Sequence, residues 1–225
     1  MRSTSRNLSA RLIAGLLSFV VVPAALHGQV SSHPVPVDTS GLASGPYPAM
    51  SMKLEKTLFK VDVLTLELWF AAADDARVRA GAALEEPPDV VYEAVAAAAL
   101  EATDVWARIR FLRGVSLGQF LDAAADNLQA AREAGLMDDK AFAEISEGLP
   151  VWYSFLRQRR VRKHDEMHYR IRGDTLRTVF LGDNGAVLLD QIDIGPERRL
   201  SVLGGYFVPD SDFREPLIRS LVGNE

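Results

Sequence analysis

Apolar residues along this chain recur with two periods, and the switches between them mark out its elements. Residues 51–70 carry Leu54, Leu58, Phe59, Val61, Val63, Leu64, Leu66, Leu68 and Trp69, with Lys53, Glu55, Asp62 and Glu67 spaced among them and no Gly or Pro. Such β-branched and aromatic density predicts strand, and the length predicts a bend or two strands. Helical spacing predicts Asp74 to Leu84. After the break at Pro87-Pro88 it predicts a second, alanine-rich helix from Val90 to Glu101, capped by Asp89. Trp106, Arg108 and Arg110 then alternate with Val105, Ala107, Ile109 and Phe111, the two-residue period of a strand. Ser116 is placed to cap a helix carrying Leu117, Phe120, Leu121, Ala124, Leu128 and Ala131, which Gly135 ends. Asp138 or Asp139 starts another, with Phe142, Ile145 and Leu149 on one face and an expected kink at Pro150, before Trp152, Phe155 and Leu156.

The last quarter of the chain holds the sharpest local pattern. Met167–Arg172 reads as a strand, and Leu176–Leu181 as another opened by Gly173-Asp174-Thr175. A Gly182-Asp183-Asn184-Gly185 turn leads to Ala186-Val187-Leu188-Leu189. Asn-Gly between apolar runs is a hairpin signature, because the turn needs positive φ and these residues adopt it at little cost. Val202–Ser211 closes the segment ahead of an amphipathic helix at 212–222. Strands at both ends of a helical middle predict an α+β fold, helices layered on an antiparallel sheet.

Composition narrows the class. Arg2, Arg6 and Arg11 precede an apolar run from Leu12 to Leu26, with Ala24, Ala25 and Gly28 as small residues beyond its centre. This is the pattern of a secretory signal peptide, and the run is shorter than the roughly 20 residues that a spanning helix needs. The expected organisation is a signal peptide at 1–28, a Ser/Pro/Gly-rich linker at 29–50 and one domain at 51–225, periplasmic or secreted, with no transmembrane segment after cleavage. The chain has no cysteine, so no disulfide framework, thiol nucleophile or lipoprotein anchor is available. Its net charge is -5, and about -8 once the three leader arginines are removed, which argues against nucleic-acid binding. No P-loop, dinucleotide fingerprint or Ser-His-Asp spacing occurs, and no cofactor is expected.

The order of parts resembles the chalcone isomerase family. Phe59–Leu68 looks like that family's early core strand, Arg110-Phe111-Leu112-Arg113-Gly114-Val115-Ser116 like the entry to its helical layer, and the Gly173-Asp174 strand pair followed by Leu203-Gly204 through Pro209 and Ser211 like its end. The resemblance covers roughly 51–222. It implies an open-faced β-sandwich, a large antiparallel sheet covered by a layer of helices. It also implies one of two activities: cyclisation of a phenolic enone, as in the plant enzymes, or fatty-acid binding in the same cleft, as in the non-catalytic relatives. The chain departs from the family where those ligands are held. Asp62 stands where a threonine or tyrosine is usual, Glu67 where a tyrosine is usual, and Met50, Ser51 and Met52 where the essential arginine should fall. Carboxylates there would repel a phenolate or a fatty-acid head group alike, so flavanone cyclisation is not expected.

The reading that follows is non-catalytic binding of a small apolar or amphipathic ligand, fatty-acid-like in shape, lined by Lys60, Asp62, Trp69, Arg110 and Tyr169. Two alternatives stand beside it. One is an isomerase or intramolecular lyase using Lys60 and Asp62 as a proton-handling pair. The other is an envelope interaction protein using the basic cluster Arg157, Arg159, Arg160, Arg162 and Lys163. Elsewhere, His164-Asp165-Glu166-Met167-His168 is not the H-E-x-x-H zinc pattern and is expected at a solvated strand edge rather than around a metal. The aromatics Trp69, Trp106, Trp152, Tyr153 and Tyr169 are expected mainly in the core.

Overall fold

The computed structural model describes residues 42–43, 47–56, 61–209 and 211–222. The expected leader, most of the expected linker, and Lys60 lie outside the described residues. Strands β1 (Met50–Lys56), β2 (Val61–Phe70), β3 (Asp104–Phe111), β4 (Glu166–Arg172), β5 (Thr175–Leu181) and β6 (Val187–Ile194) form one antiparallel sheet in the order β1-β2-β3-β4-β5-β6. The long apolar run at 51–70 is thus two strands. The second strand of the Asn-Gly hairpin runs on to Ile194, five residues past its apolar stretch. The domain also reaches back before residue 51. The amide of Ala49 donates to Leu68 O, that of Ala43 donates to Phe70 O, and Leu42 packs on Trp69 and Trp106.

The register resolves the sheet into rows. On the inner face, Met52, Leu66, Ile109, Met167, Phe180 and Leu189 are consecutive cross-strand neighbours, an apolar row from edge to edge. The next inner row is Met50, Leu68, Ala107, Tyr169, Thr178 and Gln191, apolar over β1–β3 and polar over β4–β6. The outer face is ionic. Glu67 and Arg108 pair at 2.6 Å, Arg110 faces Glu166, and Arg177 holds Asp190 through two bonds of 2.8 and 2.7 Å. Within this ionic surface Trp69 stacks on Trp106 at 4.2 Å, and His168 stacks on Trp106 in turn.

Seven helices complete the described chain: α1 (Ala72–Ala82), α2 (Pro88–Glu101), α3 (Leu117–Glu133), α4 (Asp139–Trp152), α5 (Leu156–Arg159), α6 (Pro196–Phe207) and α7 (Arg214–Val222). Helix α2 starts at Pro88, whose missing N–H is no loss at a first turn, so Asp89 lies inside the helix instead of capping it. Ser116 caps α3 in a full capping box with Gln119, and Asp138 caps α4 through the Ala141 amide. Helix α4 runs through Pro150 and ends two residues later, so the proline forfeits a bond only in the final turn. The sequence pattern missed α6. Its apolar residues are interrupted by Gly204-Gly205, within the stretch expected only to close the segment ahead of the last helix. The glycines are there for proximity: a Cβ on Gly204 would stand 2.8 Å from Ala131 Cβ, and one on Gly205 2.7 Å from Asn127 Cβ. Their absence of side chains lets α6 lie directly against α3.

The loop between α5 and β4 is fixed by a buried carboxylate. Asp165, fully buried, accepts from Arg159 Nη2 at 2.8 Å, the Arg162 amide at 2.7 Å and the Asp183 amide at 2.9 Å. Residues Arg160 and His164, both just before it in the chain, have positive φ, of 60° and 72°. These strained positions persist because the Asp165 clasp over-determines the loop and ties it to the β5–β6 turn. Replacing Asp165 with Ala leaves the Arg159 charge and two amides without partners. It is expected to lower unfolding free energy by about 3–5 kcal/mol in urea denaturation. A loss under about 1 kcal/mol would show that water replaces the clasp.

Candidate functional site

The helical layer does not settle onto the whole inner face. Helix α3 packs chiefly on α6 and α4, while α7 covers β1 and α6 touches β5. Between α3, α4 and α6 and the inner face of the sheet there remains a cavity of about 650 Å³. Its floor is laid by alternate residues of adjacent strands, among them Ile109, Met167, Tyr169, Thr178, Leu189 and Gln191. Its roof carries Phe120, Leu128, Leu149, Trp152, Tyr153, Val202 and Tyr206. An aromatic cluster braces one end: Phe120 meets Tyr153 edge-on at 4.7 Å, Phe111 stacks near Phe180 at 6.1 Å, and Phe155 meets Phe180 at 5.3 Å.

Three phenols give this apolar space its polar character. Burial pushes Tyr153 and Tyr206 well above the ordinary phenol range, and each is pushed further by the neighbouring Tyr169. Burial raises Tyr169 to about 12, with a hydrogen bond to Tyr153 acting in the opposite sense. Tyr153 Oη also lies 3.6 Å from Met167 Sδ. All three therefore stay protonated near neutral pH, as hydrogen-bond donors and acceptors and not as bases. Along β6 the floor becomes polar, where Gln191 Nε2 donates to both oxygens of Asp193 at 3.0 and 2.9 Å. Two guanidiniums belong to the wall, Arg198 paired with Glu144, and Arg113.

Of the five residues expected to line a site, the structure places Tyr169 in the cavity wall. Trp69 and Arg110 point from the opposite face of the sheet, Trp69 into its stack with Trp106 and Arg110 toward Glu166. Asp62, at the sheet margin, bonds Lys53 at 3.2 Å, and Lys60 lies outside the described residues. The reason is parity. The two faces of β2 and β3 differ by one residue in register, and Glu67, Trp69 and Arg110 fall on the odd side from Leu66 and Ile109. Tyr153 was expected mainly in the core, and Tyr206, Thr178, Gln191 and the wall arginines were not among the expected lining residues. The same parity rule would have found Thr178 beside Tyr169. Tyr206 lies on the helix that the glycine pair concealed.

The His164–His168 segment also differs from its expected place. Strand β4 is internal, between β3 and β5, and His168 is buried. Its Nδ1 accepts from Trp106 Nε1 at 3.2 Å while Nε2 faces Glu166 at 3.1 Å, and Glu166 is held below the usual carboxylate range, principally by that bond. His164 is exposed in the preceding loop. Among the described residues no group of three or more His, Cys, Asp or Glu side chains is arranged to hold a metal ion. In the basic cluster, Arg159 is committed to Asp165.

Comparison with protein-family models finds no match, and no curated protein is similar to the chain in sequence. In three dimensions the chain is similar to a fatty-acid binding protein of Arabidopsis thaliana, with a TM-score of 0.54 and 11% identity over 81% of this chain and 87% of that one. The likeness is one of fold, and the fold is the chalcone isomerase-like α+β arrangement: an open antiparallel sheet with helices on one face.

The raised phenols fix a sign for alkaline behaviour. A group whose folded pKa exceeds its ordinary 10 favours the fold fully below that value and loses its contribution as pH rises toward about 12. The cavity phenols are expected to ionise only as the fold opens, so tyrosinate absorbance and loss of far-ultraviolet dichroism should rise together above pH 10. Ionisation of all five tyrosines below that pH with dichroism intact would contradict the buried cluster.

Proposed function

We propose that this chain binds a small apolar or amphipathic molecule, fatty-acid-like in shape, in the cavity between sheet and helices, without transforming it. The observation that carries this reading is the cavity itself. Its volume falls within the roughly 300–1,000 Å³ of small-molecule sites, and its wall is mainly apolar with a few convergent polar groups. The similar fold of a fatty-acid binding protein supports it. The three phenols supply hydrogen bonds at neutral pH without acting as bases, which suits retention of a ligand better than proton transfer.

The isomerase alternative draws no support from Asp62, which is half-exposed and paired with Lys53 at the sheet margin. An interaction protein with no small ligand would be favoured by a filled core, and the core is not filled. We further propose that the protein works outside the cytoplasm, on the strength of the basic and apolar pattern of residues 1–28. Among the described residues no helix is long and apolar enough to cross a membrane.

Ala124 of α3 lines the cavity, and a phenyl ring there would occupy ligand space. Native mass spectrometry of protein purified without denaturation is expected to show a lipid-sized adduct. The variant Ala124→Phe should lose that adduct and bind an alkyl fluorophore at least about tenfold more weakly, with thermal stability retained. Equal binding by both proteins would place the ligand elsewhere.

A further inference from the structure

Two buried hydroxyls of the cavity wall have no hydrogen-bond partner among the described residues. They are Thr178 Oγ1 on the floor and Tyr206 Oη on the roof; the two residues are 6% and 4% exposed, and both line the open space. The polar groups around them are already engaged. Tyr169 bonds Tyr153, Tyr153 Oη also lies 3.6 Å from Met167 Sδ, and Gln191 Nε2 donates to both oxygens of Asp193. The two hydroxyls belong to one patch. Tyr169 is the cross-strand neighbour of Thr178, and it lies close enough to Tyr206 to act on that phenol's ionisation, which burial chiefly opposes. A hydroxyl taken out of water without a bond in exchange is costly, so such a pair beside an unfilled space is stabilised by a group that enters and bonds it.

The charges around the patch decide what that group can be. Thr178 sits between Tyr169 and Gln191 in one cross-strand row, every member of which is uncharged, and no cation is bonded to any of them. The next inner-facing residue along β6 is Asp193. It lines the cavity, accepts from Gln191 and pairs with no cation among the described residues. Its charge is felt inside: burial is the main reason that Tyr153 stays protonated, and Asp193 adds to it. Arg198 of the wall is committed to Glu144. Arg113 follows Phe111, which is about 13 Å along β3 from Ala107, the neighbour of Tyr169 on that strand. An oxyanion at the patch would lose its water and meet the field of Asp193 without a bonded cation in return. An uncharged oxygen gives up less hydration and makes the same bonds.

From this arrangement we infer that the cavity takes a ligand whose polar group is an uncharged hydroxyl or carbonyl, bonded by Thr178 and Tyr206, and that it discriminates against the corresponding carboxylate. The inference rests on the reading that the cavity holds a ligand. It adds the charge state of the ligand's polar group and the two residues that select it.

The experiment measures dodecanol, dodecanoate and dodecylammonium, equal in chain and different in head charge, binding to the purified protein at neutral pH by calorimetry. The unmodified protein is expected to bind dodecanol about tenfold or more tightly than dodecanoate. The variants Thr178→Val and Tyr206→Phe keep the shape of the wall and remove one hydroxyl each. With dichroism unchanged, each should weaken dodecanol about fivefold and leave dodecanoate as it was. If dodecanoate binds as tightly as dodecanol or more so, the selection of an uncharged group is overturned while the cavity reading survives. Tightest binding of dodecylammonium would overturn it in favour of a cation beside Asp193. Dodecanol affinity unaltered in both folded variants, or lost together with that for dodecanoate, would show that the hydroxyls do not select the head. Binding of none of the three to the unmodified protein would overturn this inference and the cavity reading together.

Discussion

Everything in this structure depends on the two-residue alternation of side chains across six antiparallel strands, whose register shifts only after Leu54 in β1 and after Phe180 in β5. Each strand sends one set of side chains inward and the other outward, and the ladder carries that choice from β1 to β6. The inner rows bury Leu66, Leu68, Ala107 and Phe180 completely. The outer rows join Glu67 to Arg108 and Arg177 to Asp190, with the tryptophan stack among them. A slip of one residue would put the ions against the helices and the leucines in water, so the burial term fixes the register far more firmly than the exposed ion pairs do.

The cavity is a consequence of how the helices are held. Gly204 and Gly205 draw α6 against α3, and α3 leans on α4, so the layer is braced largely within itself. Large aromatics, Phe111, Phe120, Tyr153 and Phe180, brace one end of the space between layer and sheet. Native interiors leave few voids larger than a water molecule, so an opening of this size with phenols inside it is more readily understood as a place for a ligand than as a packing defect. The clasp at Asp165 works at the same end, holding the chain as it returns from α5 to the sheet beneath Phe180.

Much of the architecture was legible in the residues. The Asn-Gly hairpin, the Ser116 and Asp138 caps, and the alternation through β3 each rest on local chemistry, and each appears where that chemistry demands. The order of strands and helices predicted helices layered on an antiparallel sheet, and the chalcone isomerase-like arrangement was what the resemblance to that family implied. The site was less legible. Of the expected lining residues that the structure describes, Tyr169 alone faces the cavity, because Trp69 and Arg110 were chosen by residue type along strands whose inner and outer sides had not been told apart. Helix α6 was concealed by its glycine pair, and with it Tyr206 and Arg198. His168, drawn to a solvated edge by its charged neighbours, is buried under a tryptophan in an internal strand.

By itself, then, the sequence determined the elements and their class: where strands alternate, where helices are capped, and that one sheet face must be covered. These are contests among near neighbours, decided by φ preferences, caps and periodicity. Tertiary structure alone decided which parity faces inward, how closely α6 approaches α3, and that Tyr153, Tyr169 and Tyr206 share one unfilled space. Those outcomes depend on distances between residues far apart in the chain, which no local pattern encodes, and they follow from the packing of the helical layer over the sheet.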